Sequence, residues 1–177
     1  MISIRQGTIG DFDIILGLMD EAVAWLVEQG RTGQWGSEPI SSLTPSLEFM
    51  RREVESNDLW IAELDGDPVG AMLLGEAPTR YVEPVEEREL FLHLLVTSRR
   101  VIGQGVGQAL VDRAIEVARE RGIDLIRVDC YGGDDRKLVR AYERLGFTPT
   151  HVVMVGEWPA QVSEMRVSGS MSKTDIG

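Results

Sequence analysis

The chain has 177 residues, of which 43% are hydrophobic and 27% charged, a composition typical of one soluble globular domain. Its 18 basic and 29 acidic side chains give a formal net charge of −11, which disfavours a nucleic-acid partner. The same charge either attracts cationic partners such as amines or only maintains solubility. A single cysteine, Cys130, excludes an internal disulfide and is consistent with a cytoplasmic protein. Short apolar runs and an N-terminus without a basic segment before an apolar core predict neither a membrane span nor a signal peptide.

Hydrophobic periodicity predicts alternating strands and helices along the chain. Runs with a period of two indicate strands, and runs with apolar residues every three or four positions indicate amphipathic helices. In chain order the predicted elements are a strand at 2–6, helices at 11–29 and 44–56, strands at 59–64, 69–74 and 89–96, a helix at 105–121, a strand at 123–129, a helix from 134 or 135 to 145, and strands at 147–155 and 162–167. The order βααβββαβαββ defines a mixed α/β (α+β) fold. Residues 1–167 are predicted to form a single domain, followed by a loose tail at 168–177.

Turn and capping residues mark the borders of these elements. The sequence DGDP at 65–68 predicts a turn that joins two strands in an antiparallel hairpin. Thr44 is predicted to cap the second helix, with Pro45 at its first position, and Asp134 or Asp135 to cap the last helix. Three helices are predicted to end at glycines, namely Gly30, Gly122 and Gly146.

The strand at 89–96 leads into a glycine-rich turn and then directly into a helix. The turn reads Ile102-Gly103-Gln104-Gly105-Val106-Gly107. Glycine lets a ligand approach the main chain, and the free N–H groups and dipole of a helix start attract anions. The turn therefore either binds a phosphate-bearing ligand or only leads the chain into the helix. It is not a Walker loop, because Gln108 and Ala109 follow the last glycine, and it comes too late in the chain for a Rossmann turn.

Two motifs in this region resemble the GNAT superfamily of N-acetyltransferases. The family's acyl-CoA-binding pattern, Arg/Gln-x-x-Gly-x-Gly/Ala, falls on Ile102, Gly105 and Gly107, with Ile102 departing from the family's Arg or Gln. The later segment LVRAYERLGF at 138–147 resembles the family's helix that ends Tyr-Glu-x-Leu-Gly-Phe. One predicted strand separates the motifs, as in the family, and the element order agrees over 1–167. The resemblance implies a mixed, mostly antiparallel central sheet flanked by helices.

The same resemblance implies that the chain binds acetyl-CoA, mainly through backbone N–H groups and without a metal. In the family the strand before the turn splays from its neighbour, so its last residues would bind the acetyl carbonyl and the pantetheine arm. Arg99 or Arg100 would supply the positive charge that Ile102 lacks. Arg136 and Lys137 would either meet the CoA phosphates or lie in solvent. The implied cofactor-binding residues are Leu95, Val96, Thr97, Arg100, Ile102, Gly103, Gln104, Gly105, Val106, Gly107 and Gln108.

Acetyl transfer from a thioester to an amine requires a base for the amine and a proton for the departing thiolate. The family carries a tyrosine at the position of Tyr142, which implies a general acid, although its apolar helical stripe also fits a core residue. Strand alternation places Glu89, Phe91, His93 and Leu95 on one face. An imidazole can take up a proton near neutral pH, so His93 is the first candidate base and Glu89 the second. Resemblance to arylalkylamine N-acetyltransferases supports His93, and a core histidine is the alternative.

Two hypotheses about function remain open. The first is an enzyme that transfers acetyl from acetyl-CoA to a small-molecule or peptide amine by direct attack. The second is a catalytically weak acyl-CoA-binding or sensing module, which the departure at Ile102 favours. In the family the loop between the first two helices lines the acceptor pocket, so Trp35 is a candidate lining residue and Glu28 or Glu38 a candidate ammonium partner. A homodimer is compatible with this fold.

Overall fold

The computed structural model describes residues 1–169 and contains the predicted succession of strands and helices. The predicted tail at 168–177 lies outside the described residues from position 170 onward. The strands are β1 (Ile2–Gln6), β2 (Asp58–Leu64), β3 (Asp67–Gly75), β4 (Glu89–Thr97), β5 (Leu125–Tyr131), β6 (Thr148–Val155) and β7 (Trp158–Arg166). The α-helices are α1 (Phe12–Glu28), α2 (Thr44–Ser56), α3 (Val106–Arg121) and α4 (Lys137–Arg144).

The seven strands form one mixed sheet in the order β1-β2-β3-β4-β5-β7-β6. Five of the neighbouring pairs are antiparallel, and the pair of β4 with β5 at the centre is parallel. A parallel pair cannot be joined by a tight turn, and here α3 makes the crossover between the two strands. The prediction of a mostly antiparallel central sheet flanked by helices is confirmed.

A separate hydrophobic core lies on each face of the sheet. On one face Leu110 and Ala114 of α3 pack against Met72 and Leu92, which are buried in the sheet. On the other face α1 buries the apolar side chains that recur every three or four positions, among them Phe12, Ile15, Met19 and Val23. Each fully buried aliphatic or aromatic side chain contributes about 1.5–3 kcal/mol of transfer free energy, so both faces hold the sheet in place. Within residues 1–169 no helix combines the length and apolarity needed to cross a membrane.

Capping at two helix starts differs from the prediction. Thr44 is the first residue of α2 rather than its cap, and Leu43 precedes the helix in an extended conformation. Neither Asp134 nor Asp135 caps α4, because the chain makes a left-handed turn before the helix begins. Asp134 instead lies 3.4 Å from the Nε atom of Arg31, on the loop after α1.

Strand β7 begins four residues before the predicted position 162. Gly156, with a φ of 62°, and the residue after it form the hairpin turn, so that Val155 already pairs with Trp158. The proline at 159 suggests a loop in the sequence, yet its carbonyl accepts a hydrogen bond from the N–H of Gly132 at 2.8 Å. The early start of β7 brings the indole of Trp158 to the loop after α1, where its Nε1 donates to the carbonyl oxygen of Gln34 at 3.1 Å.

Candidate active site

The central parallel pair of strands is joined over only part of its length. Pairing of β4 with β5 runs from Glu89 opposite Leu125 to Leu92 opposite Val128, and no later pair follows among the described residues. Both strands continue beyond these residues, β4 to Thr97 and β5 to Tyr131. The backbone of β4 from Leu94 onward therefore has a strand partner on the β3 side but, among the described residues, none on the β5 side. Open strand edges of this kind can pair with an extended ligand.

A cavity of about 540 Å³ opens beside this gap, and we refer to it as the central cavity. It is bordered by the last part of β4, the end of β5, helix α4 and the face of α2. Its polar or aromatic lining side chains include Trp35, Glu53, Tyr81, His93, Asp129, Tyr142 and Trp158. A cavity of this size, mostly apolar with a few converging polar groups, is typical of a small-molecule site.

A β-bulge at His93 shapes the wall of the central cavity. Leu74 pairs with Leu92 and Leu73 with Leu94, so His93 is the extra residue of β4. The bulge reverses the alternation of side chains along the strand. The prediction that Leu95 shares a face with Glu89 and Phe91 is wrong for this reason. Leu95 packs instead against the core on the α3 side, together with Leu90 and Leu92.

The imidazole of His93 is held by one contact at each ring nitrogen. Its Nε2 lies 2.9 Å from the carbonyl oxygen of Ala77. A carbonyl can only accept, so Nε2 carries the proton and donates. Its Nδ1 faces the carboxylate of Glu53 on α2 at 3.5 Å, and the ring packs against Phe91 with centroids 5.0 Å apart. The ring is thus oriented by α2 and by the loop after β3, and a proton on Nδ1 would lie between imidazole and carboxylate.

Tyr142 reaches the central cavity from the opposite side, on α4. Its ring packs edge-on against Phe147 at 5.8 Å between centroids, and the residue is 7% exposed. Among the described residues its hydroxyl has no hydrogen-bond partner. Burial raises the pKa of Tyr142 well above that of a free phenol, so the hydroxyl stays protonated. A protonated donor therefore points into the central cavity.

Two further acidic groups of the central cavity were not predicted. Asp129, at the end of β5, accepts a hydrogen bond from the hydroxyl of Tyr81 at 2.6 Å. Burial raises the pKa of Asp129, against the opposite effect of the Tyr81 hydrogen bond. Burial also raises the pKa of the neighbouring Cys130 thiol to about 12, so that residue is not a thiolate at neutral pH. A carboxylate among the last residues of a buried strand is the sequence signal that would have pointed to Asp129.

Glu53 was also not predicted, although its position in the sequence of α2 indicates that it contacts the interior. Met50 and Val54 are buried on one face of this helix, and Glu53 lies between them in the helical period. A carboxylate next to the apolar stripe of an otherwise polar helix is a candidate for an interior contact. The carboxylates suggested from the loop, Glu28 and Glu38, are exposed and do not line the central cavity, whereas Trp35 does.

The second candidate base, Glu89, lies away from the central cavity. It is 3% exposed and forms a buried ion pair with the guanidinium of Arg127 on β5. A second nitrogen of Arg127 donates to the carbonyl of Glu83 at 2.9 Å. The pair lies at the closed end of the gap, where β4 and β5 are still joined.

The glycine-rich turn forms an open cradle at the start of α3. Gly103 and Gly105 have φ values of 77° and 83°, a conformation that other residues adopt only with strain. A Cβ atom added at either position would meet nothing within 4 Å, so this side of the turn is free for a ligand. The N–H of Ala109 bonds to the carbonyl of Gly105 at 3.0 Å, and the amides just before it lie in the first turn, where a helix has no acceptors of its own. This arrangement fits a pyrophosphate.

The charged and polar side chains around the glycine-rich turn already contact other residues of the chain. The guanidinium of Arg99 lies 3.6 Å from the ring centre of Trp25, which takes it away from the turn. Arg100 donates through Nε to Ser98 at 3.2 Å and its side chain is otherwise exposed. Gln108 donates to Asp112 at 2.9 Å. Ile102 is 62% exposed, so no side chain takes the place of the family's Arg or Gln at that position.

The remaining predicted cofactor residues lie along one path. Leu95 lines the central cavity, Val96 is buried against the α1 side, and Thr97 ends β4. Gly107 lies near Thr97 and Leu145, since a Cβ added there would come within 4.0 Å of both side chains. The open edge of β4 and the first turn of α3 are therefore neighbours, and an extended ligand can follow both.

Comparison with known proteins agrees with this geometry. The model of the acetyltransferase (GNAT) family matches residues 19–147. Over 141 residues the chain is 32% identical to the mycothiol acetyltransferase of Beutenbergia cavernae, a match that covers 77% of this chain and 44% of that protein. The chain belongs to the GNAT family. It spans less than half the length of this curated relative.

Two solved structures share the fold at low sequence identity. A GNAT-family acetyltransferase from Listeria monocytogenes superposes with a TM-score of 0.70 at 22% identity, covering 93% of this chain and 94% of that one. A structure from Salmonella typhimurium, described with its cofactor acetyl-CoA, has a TM-score of 0.61 at 17% identity, covering 97% and 96%.

Proposed function

We propose that the chain transfers an acetyl group from acetyl-CoA to a primary amine by direct attack. One observation carries the proposal: the central cavity holds a tyrosine hydroxyl without a partner in residues 1–169 and an oriented imidazole, beside an open strand edge that leads to the glycine-rich turn. Membership of the GNAT family supports it. Acetyl-CoA would supply an acetyl thioester, which is the activated acyl group that the reaction consumes.

The main chain is the proposed holder of the acyl donor. The amides of Val106, Gly107 and Gln108 begin α3 and, with the dipole of the helix, favour an anion at the turn. The free edge of β4, from His93 to Thr97, is available for hydrogen bonds to an extended amide-containing arm. An N–H of the same edge would stabilise negative charge on the acetyl oxygen. Arg100 is the exposed cation nearest the turn in sequence.

His93 is the proposed base. Ammonium must lose a proton before its nitrogen can attack, and an imidazole is suited to accept that proton directly or through one water. Ala77 fixes the tautomer by accepting from Nε2, so Nδ1 is the nitrogen that can receive the proton. Glu53, at 3.5 Å from Nδ1, would stabilise the imidazolium once formed and acts as a positioning residue. Glu89 has no part in this proposal because its carboxylate is paired with Arg127.

Tyr142 is the proposed general acid. Its buried hydroxyl remains protonated and has no competing acceptor among the described residues, so it can donate to a sulfur atom brought against it. A phenol with a raised pKa is a weaker acid than a thiol. Proton transfer is therefore favourable only as negative charge develops on a desolvated sulfur, which makes the position of the hydroxyl decisive.

A binding module without turnover is the alternative, and the exposed Ile102 is the observation that favours it. Release of free thiol from acetyl-CoA, measured over a panel of primary amines, separates the two functions. The expected result is amine-dependent thiol release that falls by about 100-fold or more in His93→Gln, with CoA affinity retained. Tight CoA binding with no thiol release on any amine would contradict acetyl transfer and support the binding module.

A further inference from the structure

The lining of the central cavity carries an unbalanced charge. Glu53 and Asp129 both border it, and its lining contains no lysine or arginine among the described residues. Among the described residues the lining has one imidazole, that of His93, and the proposed function assigns it to proton transfer. Glu53 and Asp129 are both partly buried, and a partly buried carboxylate without a cationic partner is costly, so a cationic ligand would be stabilised here.

The two carboxylates retain capacity for a ligand. Asp129 accepts from Tyr81 through one oxygen atom, Oδ2, at 2.6 Å. Glu53 faces His93 through Oε2, and Asn57 donates to the same oxygen at 3.4 Å. A carboxylate offers about four acceptor positions, so both groups can accept further hydrogen bonds from an ammonium. The hydroxyl of Tyr142, on a residue only 7% exposed and without a partner among the described residues, independently indicates that a ligand completes this site.

The other walls of the central cavity are apolar and aromatic. Trp35 and Met50 line it from the α1 and α2 side, and Trp158 lines it from β7. Phe49, also in the lining, is 47% exposed, which places it towards solvent. Such walls bury hydrocarbon or aromatic groups favourably and provide no cation to pair with an anion, since Gln34, Ser46 and Thr79, which also line the central cavity, are neutral.

From this combination we infer the class of acceptor: a primary amine on an apolar body and with no carboxylate. The inference rests on the proposed function for the reaction but concerns only recognition of the acceptor. An α-amino acid would bring its own carboxylate against Glu53 and Asp129, with no lining cation to compensate. Aromatic and branched aliphatic amines fit both the charge and the walls.

Binding to the full chain saturated with CoA tests the inference without turnover. The probes are 2-phenylethylamine, L-phenylalanine and L-phenylalaninamide, and their binding is measured by calorimetry or by the change in intrinsic tryptophan fluorescence, to which Trp35 and Trp158 of the cavity contribute. We expect 2-phenylethylamine to bind at least about 100-fold more tightly than phenylalanine, because like charges at close range cost several kcal/mol. Phenylalaninamide, which lacks only the negative charge, should recover most of the difference. Phenylalanine binding as tightly as 2-phenylethylamine would overturn the inference.

The variant Asp129→Asn tests whether the carboxylate causes the selectivity. It should weaken the binding of 2-phenylethylamine and strengthen the binding of phenylalanine. The ratio of the two affinities should therefore fall by about tenfold or more. Glu38→Gln, which removes an exposed carboxylate outside the central cavity, is the matched control and should leave the ratio unchanged. An unchanged ratio in Asp129→Asn would refute the inference. Thiol release with the same amines is measured separately: selective binding without any release contradicts the proposed reaction and leaves the acceptor class standing.

Discussion

At the scale of single residues, Tyr142 combines a packed ring with a free hydroxyl. The ring contacts Phe147 and belongs to the core on the α3 side, as the apolar stripe of its helix suggests. The hydroxyl lines the central cavity and has no partner among the described residues. The two interpretations of the sequence, core residue and functional group, therefore apply to different atoms of one side chain. Only the position of the oxygen bears on catalysis.

The substitution Tyr142→Phe separates these two parts. We expect the stability of the protein to change little, because the Tyr142 oxygen forms no hydrogen bond within residues 1–169 that would be lost. We expect the rate of thiol release at saturating amine to fall by about 100-fold or more, as for loss of a general acid. Urea unfolding and steady-state kinetics measure the two quantities.

Tyr131→Phe removes a hydroxyl from another tyrosine of the same cavity and is the matched control. Its effect on the rate should be much smaller. Equal losses of rate in both variants would show that the Tyr142 hydroxyl has no special role.

At the scale of elements, two local irregularities create the site. The bulge at His93 reverses the faces of β4, and the glycine-rich turn enters α3 through left-handed residues. The turn was recognisable in the sequence because glycine at such positions has a backbone reason that is local. The bulge was not, because it exists only in the pairing of β4 with β3 and leaves no trace in the composition of either strand.

The substitution Gly105→Ala tests the cradle at the start of α3. The φ of 83° costs an alanine about 1–2 kcal/mol, and its methyl group would extend into the space left open for a ligand. We therefore expect loss of stability of that size together with at least tenfold weaker CoA binding. Calorimetric titration with CoA and urea unfolding measure the two effects.

Gly122→Ala is a close control, because Gly122 ends the same helix with a φ of 69° and equally open space around its Cβ position. It should lose similar stability and keep its affinity for CoA. If both variants bound CoA equally well, the turn would not be the pyrophosphate site.

At the scale of the whole molecule, the sheet must be joined at one end of its central pair and open at the other. The buried pair of Glu89 and Arg127 links β4 to β5 at the joined end, where their side chains are 4% and 5% exposed. Beyond it the strands pair with β3 and β7 on their outer sides only. The gap between the ends of β4 and β5 therefore leaves the pairing of β4 with β3 and of β5 with β7 intact.

Glu89→Gln should destabilise the protein by about 3–5 kcal/mol, because it leaves the guanidinium of Arg127 buried without a counter-charge. Acetyl transfer per folded molecule should be largely retained, since Glu89 does not border the central cavity. Chemical unfolding and active-site-normalised kinetics measure these quantities. A stable Glu89→Gln variant without activity would instead support Glu89 as the base.

Stability should also depend on pH through the contact between β1 and the start of α1. Arg5 donates to both carboxylate oxygens of Asp11, at 3.1 and 2.9 Å, and this contact lowers the pKa of Asp11. Because the pKa is lower in the folded state, the contribution is present above the pKa of the unfolded carboxyl and is lost as the pH falls through the folded value. Asp11→Asn should therefore cost about 1 kcal/mol at neutral pH. Its unfolding free energy should converge with that of the native sequence in acid, and a constant difference would contradict this.

The sequence by itself determined the order of elements, most of their borders and the glycine-rich turn. These features depend on local causes, namely the period of apolar residues and the backbone freedom of glycine at the ends of elements. Tertiary structure alone decided which polar groups meet. Glu53 reaches His93 from another element, and Tyr81 reaches Asp129 over 48 positions of sequence. Glu89 pairs with Arg127, 38 positions away. A side chain's partner is set by strand pairing and by the bulge, and these depend on two chain segments at once, so the period of one segment cannot predict them.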